Sequence, residues 1–362
     1  MNQQTQISNP HDLAAAQPRP LLIRCGAFGD MVLVSVLIQQ LSSRFGCPVD
    51  VVTSGPWSLP LLRAQADVGE VFVLGSRKAP YWANRKQQQL VRWLRMRPTG
   101  PIWFADPGTA GRDLLRRAGI ADDMVVEFVS LQGLPGEHIC ERLVRLANLT
   151  PPAWQGQAGS LQPEIELNAR LRPDAYRDLL GPWLRRFGLG DNPLITIQVG
   201  NKRTMRPWFY RSAAHSKYWP EERWAQVLRG LRDACPTHDI VLLGVKTEIR
   251  MNDKIARQSG ISRVFNVAGD VPVEILLPLL EKSSSMISVD TGPAHAAAAL
   301  ACPTVVLFGK ADPQLYRPGG LSTPTVVLTG RIQGEADIRG ISADDVLAAW
   351  RKLVTKSPTK SL

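Results

Sequence analysis

No stretch of this sequence is long and apolar enough to cross a membrane. Its purely apolar runs fall far short of the ~20 residues that a spanning helix needs. The uncharged run 291–309 is broken by Gly292, Pro293, His295 and Pro303, so it reads as a helix followed by a strand. Residues 1–17 lack the hydrophobic core of an export signal and read as a disordered tail. Cysteine is scarce: Cys25, Cys47, Cys140, Cys235 and Cys302 are odd in number, far apart and without a CxxC or Cys/His cluster. That pattern argues against a disulfide framework and a zinc site, and fits reduced thiols in a cytoplasmic protein. Acids are missing altogether from two stretches, 75–105 and 201–217. The first holds Arg77, Lys78, Arg85, Lys86, Arg92, Arg95 and Arg97; the second holds Lys202, Arg203, Arg206, Arg211 and Lys217. Without them the chain is nearly neutral, so the net charge of +11 is concentrated in two places and points to anionic partners.

A chain of 362 residues with 44% hydrophobic and 21% charged residues is a globular composition of about two domains. Short apolar runs alternate with helical periodicity. Strands are expected at Leu21–Cys25, Val49–Thr53, Val71–Leu74, Ile102–Phe104 and Met124–Val126. A helix is expected from Asp30 to about Phe45. Residues 150–165, rich in Pro, Gln and Gly, read as loop, and a connecting helix is expected over Asp174–Phe187. The pattern then restarts, with strands at Leu194–Ile197, Ile240–Leu243, Val264–Asn266, Met286–Val289 and Thr304–Phe308. Helices are expected at Glu221–Ala234, Glu248–Gln258, Val273–Glu281, Ala294–Leu300 and Ala343–Val354. Strand–helix alternation implies parallel βαβ units, here two α/β halves in series with a cleft between them. The expected division is 18–170, 171–340 and a terminal helix and tail over 341–362.

Four elements could carry chemistry. Gly26-Ala27-Phe28-Gly29-Asp30 joins a strand to a helix, where Gly26 and Gly29 allow close backbone approach. It lacks the glycines of GxGxxG and the GK[ST] of a P-loop. Asp30 is placed to cap the helix, the plainer reading, and is also compatible with a general base. In Asp290-Thr291-Gly292-Pro293-Ala294-His295 a strand ends and a helix opens with proline in its first turn. Backbone N–H groups of Gly292, Ala294 and His295, the Thr291 hydroxyl and the His295 imidazole would suit a diphosphate; a capped core helix with an incidental histidine is the structural alternative. Lys217, ahead of Tyr218-Trp219-Pro220, is a solvated loop lysine or a phosphate ligand. Glu248, after Gly244-Val245-Lys246-Thr247, is a helix N-terminal acid or an acceptor for ribose hydroxyls. The basic stretch 75–105, with Trp82, Trp93 and Trp103, is a solvated helix over core tryptophans or a surface for anionic lipid or phosphorylated sugar.

Arg24 to Asp30, Lys217-Tyr218-Trp219-Pro220, and Asp290 to His295 with Leu307-Phe308-Gly309 and Asp312-Pro313 together resemble glycosyltransferase family 9, the ADP-heptose:lipopolysaccharide heptosyltransferases, over roughly residues 20–355. The resemblance implies a GT-B fold, two Rossmann-like doubly wound domains facing across a cleft, the N-terminal one for the acceptor and the C-terminal one for the nucleotide sugar. It implies Asp30 as the base, Lys217 as a donor phosphate ligand, and Asp290, Thr291, Gly292 and His295 as the diphosphate loop, with Glu248 a looser match for ribose. The expected reaction is inverting transfer of a sugar, heptose from ADP-heptose, to a lipopolysaccharide core or related surface glycan. No metal and no cofactor are expected. Arg77, Lys78, Arg85 and Lys86 are candidates for contact with a phosphorylated glycolipid or the inner membrane face; nucleic acid is not an expected partner. This sequence departs from the family where paired serines are replaced by Gly26-Ala27, and in Lys310-Ala311 after Phe308-Gly309. Transfer from another nucleotide sugar to a polysaccharide or protein, and non-catalytic binding of a polyanion, are the alternatives.

Overall fold

A computed structural model describes residues 18–75, 80–108, 110–156, 168–201, 216–319 and 324–356. Arg77, Lys78 and most of the 201–217 loop therefore lie outside the described residues.

The chain begins with β1 (Leu21–Ile23), α1 (Phe28–Leu33), α2 (Ser35–Phe45), β2 (Val49–Ser54), α3 (Ser58–Arg63) and β3 (Val68–Leu74). It continues through α4 (Arg85–Met96), β4 (Ile102–Phe104), α5 (Ala110–Ala118), β5 (Val125–Glu127) and α6 (Ile139–Asn148). Then follow α7 (Arg177–Arg186), β6 (Leu194–Gln198), α8 (Glu221–Ala234), β7 (Asp239–Leu243), α9 (Ile249–Ser259) and β8 (Val264–Asn266). The last elements are α10 (Val273–Lys282), β9 (Ser285–Val289), α11 (Gly292–Ala299), β10 (Thr304–Phe308), α12 (Pro313–Tyr316), β11 (Thr325–Thr329), the hairpin β12 (Arg331–Ile332) and β13 (Glu335–Ala336), and α13 (Ala343–Lys356).

By its contacts the chain forms two compact units. One draws on 1–26, 34–135 and 141–166, the other on 27–33, 136–140 and 167–362. The first is built on a parallel sheet of order β3-β2-β1-β4-β5. The second is built on a parallel sheet of order β11-β10-β9-β6-β7-β8. β1, β4, β6, β7, β9 and β10 are buried along their whole length, which is why β1 and β4 read as unbroken apolar runs and the others as mostly apolar ones, with buried Thr196, Gln198, Asp239, Ser285, Ser288 and Thr304 among them. In the second sheet the chain order reverses between β9 and β6, and ligands of doubly wound sheets bind outside the carboxyl ends at such a point. Asp290 lies at the end of β9 and Gly200 just beyond β6.

The second unit's core joins Trp219, Trp224, Val227, Leu228, Ile287, Val289 and Trp350. Trp219 and Trp224 meet edge to face at 4.8 Å, and the Trp219 indole N–H donates to the Ile341 carbonyl at 3.0 Å. Burying each such large side chain is worth about 2–3 kcal/mol. Trp219 thereby anchors the residues just before α8, Lys217 among them.

Three expectations change. The helix expected from Asp30 to Phe45 is two helices, interrupted at Val34, and it starts two residues early at Phe28. The cause is the Asp30 carboxylate, which reaches back and accepts the Ala27 N–H at 2.8 Å. Asp30 is therefore in the first turn rather than an N-cap, and Gly29 is helical rather than in a loop. The basic stretch is not uniformly a surface either. Arg97 is buried, donates to Asp50 at 2.9 Å and to the Arg19 carbonyl at 2.9 Å, and holds β2 to the segment entering β1. Trp93 and Trp103 are core residues, whereas Trp82 is 81% exposed.

Candidate functional site

The carboxyl end of β9 gathers most of the singled-out residues. β9 delivers Asp290, whose N–H is fixed by the Leu307 carbonyl at 3.1 Å. Its carboxylate is 11% exposed and ion-pairs with Lys217 Nζ at 2.6 Å; the same ammonium donates to the Asp290 main-chain carbonyl at 2.8 Å. Lys217 is thus docked on the turn, not waving in a solvated loop. Its backbone neighbour Ser216 packs against Gly309, where a Cβ would fall 1.9 Å from the Ser216 carbonyl oxygen, so only glycine fits after Phe308.

Thr291 stands at the N-cap of α11 with extended backbone (φ −146°, ψ 167°), yet its side chain caps nothing. Ser288 donates to the Val289 carbonyl at 2.6 Å, and Thr291 in turn donates to Ser288 Oγ at 3.0 Å. The first turn of α11 therefore has no side-chain cap. Pro293 has no N–H, and the His295 N–H makes a long bond of 3.4 Å to the Thr291 carbonyl. Of the three N–H groups expected to face a ligand, that of His295 is engaged within the helix. An uncapped helix N-terminus and its dipole suit an anion.

His295 is 7% exposed. Its Nε2 lies 3.9 Å from Asp290 Oδ1, and Nδ1 is buried with no hydrogen-bond partner among the described residues. Burial lowers its pKa to about 4, with the positive charge of Lys217 adding to the effect against the carboxylates of Asp290 and Asp30. The ring is neutral at physiological pH, one nitrogen a donor and the other an acceptor. Asp30 itself is half-buried on α1, which packs against α11 within the second unit.

Glu248 is 1% exposed. Its Oε2 accepts the Val245 N–H at 2.7 Å and lies 3.4 Å from Gln198 Nε2, whereas Oε1 has no partner among the described residues. Burial pushes its carboxyl pKa up against these hydrogen bonds. A buried acceptor oxygen without a donor beside β6 and β7 fits a ligand hydroxyl.

Arg85 and Lys86 are not gathered here. They are exposed in the first turn of α4 in the first unit. Gly26 belongs to the first unit and ends the segment that leaves β1. Among the described residues no group of three or more His, Cys, Asp or Glu could hold a metal ion.

Several residues were not among the site candidates. Ser288 sits inside a strand and is buried beneath Thr291. His138 is buried; its Nδ1 accepts the Cys140 N–H at 3.2 Å, so Nε2 carries the proton and donates to the Arg317 carbonyl at 3.0 Å. Asp312 accepts the Gln314 N–H at 2.8 Å and caps α12, a structural role. In the first unit, buried Asp106 accepts the Cys25 N–H at 2.8 Å and fixes the exit of β1. The acid-Pro-Gly sequence Asp106-Pro107-Gly108 at a strand end was its available signal.

The family model of glycosyltransferase family 9 (heptosyltransferase) matches residues 133–337, more than half of the chain. The chain belongs to glycosyltransferase family 9. Within the curated proteins, this family 9 chain is similar to lipopolysaccharide heptosyltransferase 3 of Escherichia coli, with 29% identity over 154 residues, 40% of this chain and 45% of that protein. It thus spans under half the length of that relative. Among solved structures, the E. coli ADP-heptose lps heptosyltransferase II superposes with a TM-score of 0.71 at 19% identity, covering 94% of this chain and 99% of that one. A family 9 glycosyl transferase from Veillonella parvula DSM 2008 gives 0.74 at 15% identity, covering 94% and 98%. These likenesses establish the fold, the two-sheet α/β architecture of the GT-B class.

Proposed function

We propose that this family 9 chain is an inverting, metal-independent glycosyltransferase that moves heptose from ADP-heptose to a lipopolysaccharide core or related surface glycan. The observation that carries the reading is the uncapped first turn of α11, with Lys217 docked on Asp290 beside it and the Asp30 turn packed against it. Asp30 takes the proton of the acceptor hydroxyl. The oxygen then attacks the anomeric carbon as the bond to the diphosphate breaks on the opposite face, so the configuration inverts. ADP leaves with the bonding electron pair. Its growing negative charge is met by the N–H groups of Gly292 and Ala294, by the α11 dipole and by Lys217, charge stabilisation that needs no metal. Neutral His295 supplies a hydrogen bond to the donor, and Glu248 Oε1 accepts from a ribose hydroxyl. The test is a panel of nucleotide sugars with delipidated core acceptors, read by mass spectrometry with and without chelator. Addition of one heptose from ADP-heptose, unaffected by chelator, supports the reading. Transfer from a different nucleotide sugar corrects the donor, and salt-sensitive DNA binding without any transfer replaces the reading with polyanion binding.

The phosphorylated glycolipid acceptor places the enzyme at the cytoplasmic face of the inner membrane; among the described residues no helix is long and apolar enough to cross it. α4 carries exposed Arg85, Lys86, Arg92 and Arg95 and no acid, with Trp82 exposed just ahead of it. Cations in a first turn oppose the helix dipole, so helix chemistry does not account for Arg85 and Lys86. Each is worth about 1 kcal/mol at an anionic surface. The double substitution Arg85→Gln/Lys86→Gln is expected to weaken sedimentation with phosphatidylglycerol vesicles by about tenfold or more, and to leave phosphatidylcholine binding unchanged. Equal binding of both proteins to anionic vesicles would remove this face from the account.

A further inference from the structure

α1 and α11 meet through their first turns, and each presents a glycine to an aromatic ring of the other. A Cβ added to Gly29 would lie 2.8 Å from His295 Cδ2 and 3.3 Å from its Nε2. A Cβ added to Gly292 would lie 2.7 Å from Phe28 Cδ1. Both separations are well inside van der Waals contact. The His295 ring is a buried group wedged between neighbours, and cannot swing aside as a long flexible side chain would. Neither glycine has a positive φ, so the backbone conformation does not demand glycine at either position; closeness does. The interlock lies wholly in the second unit, since α1 clusters there while α2, beyond the interruption at Val34, clusters with the first.

We propose that Gly29 and Gly292 are positioning residues, an interlocked pair that sets the separation between the Asp30 carboxylate and the donor turn Asp290–His295. This rests on the transferase reading above. Base and diphosphate turn are then held in register by direct helix-to-helix packing inside one unit. Gly29 is adjacent to Asp30, so any group that pushes α1 off His295 carries the carboxylate with it. Opening the contact to an ordinary carbon–carbon distance requires a shift approaching 1 Å, and a misplacement of that size costs about a hundredfold in rate.

The test uses the full chain, with turnover at saturating donor, ADP affinity by calorimetry, and melting temperature measured for each variant. Gly29→Ala is expected to lower kcat by about thirtyfold or more, with ADP affinity held within about twofold. Gly292→Ala is expected to lower kcat as well, and the double variant Phe28→Ala/Gly292→Ala to recover most of that loss, because removing the ring clears the space the new Cβ needs. A Gly29→Ala protein with unchanged kcat overturns the proposal. So does a loss of ADP affinity equal to the loss of kcat, which would make the glycine merely part of the donor pocket, and so does a double variant no better than Gly292→Ala. An inactive wild-type chain sinks the transferase reading; an active wild type alongside an equally active Gly29→Ala sinks the interlock alone.

Discussion

Asp30→Asn is expected to lower turnover by about a thousandfold while ADP binds as before. The substitution is chosen because Asp30 does two things. Its Oδ2 accepts the Ala27 N–H and so sets the start of α1. In the proposed mechanism the same carboxylate takes the acceptor's proton. An asparagine keeps an acceptor oxygen for Ala27 and keeps the volume, but has no basicity. Its melting temperature should therefore stay near that of the wild type, whereas Asp30→Ala also loses the capping bond, worth about 1 kcal/mol. Calorimetry with ADP separates the effects further, because the ligands proposed for the diphosphate lie on the Asp290–His295 turn and Lys217. A variant that loses turnover and ADP affinity together would mean that Asp30 shapes the donor pocket, and the base would have to be sought elsewhere.

The second large effect is expected at Lys217. Lys217→Met removes a charge proposed to meet the donor phosphates and also strands the Asp290 carboxylate, which is 11% exposed. Truncating one partner of a largely buried, hydrogen-bonded ion pair costs about 2–5 kcal/mol, which falls on stability, and loss of the cation proposed to face the donor phosphates should separately lower ADP affinity by about tenfold or more. The melting temperature should fall by a few degrees. The double variant Lys217→Met/Asp290→Asn distinguishes the two contributions. Neutralising Asp290 relieves the stranded charge, and stability should return toward that of the wild type. ADP affinity should stay low, because the cation is still absent. If affinity returns with stability, Lys217 serves only to neutralise Asp290, and the leaving group is stabilised by the helix terminus without it. Lys217→Arg is expected to be intermediate: it keeps the charge, but a planar fork replaces the compact ammonium that bonds both the carboxylate and the carbonyl of Asp290.

Much of this architecture is legible in the chain because parallel strands are buried on both faces. Leu21-Leu22-Ile23 and Thr304-Val305-Val306-Leu307-Phe308 announce themselves as apolar runs, and Pro220 followed by Glu221 and Glu222 marks the start of α8. The interruption at Val34 is hidden, since apolar residues continue at Met31, Val32, Leu33, Leu37 and Ile38 in spacing that one long helix would also show. Partnerships across sequence distance are hidden for a different reason. Arg97 and Asp50 are 47 positions apart, and Lys217 and Asp290 are 73 apart, so the sequence presents four charges where the fold makes two pairs. Arg97 thus counts toward a basic surface in composition and toward a buried anchor in structure. The motif around Asp290 was visible; that Thr291 turns its hydroxyl to Ser288, leaving α11 uncapped, was not, because Ser288 looks like any small residue in a buried strand. The glycines are a third case. Gly29 and Gly292 suggest loop freedom in a sequence, and their close approach to His295 and Phe28 appears only when α1 and α11 are seen together.

Sugar transfer from an ADP-linked donor with Asp30 as the base is the proposal on which the other expectations depend. Its most direct test is the mass of a delipidated lipopolysaccharide-core acceptor incubated with ADP-heptose and either the wild-type chain or Asp30→Asn at matched concentration and time. An acceptor carrying one added heptose is expected with the wild type and an unmodified acceptor with the variant. Equal amounts of product from the two proteins would contradict it.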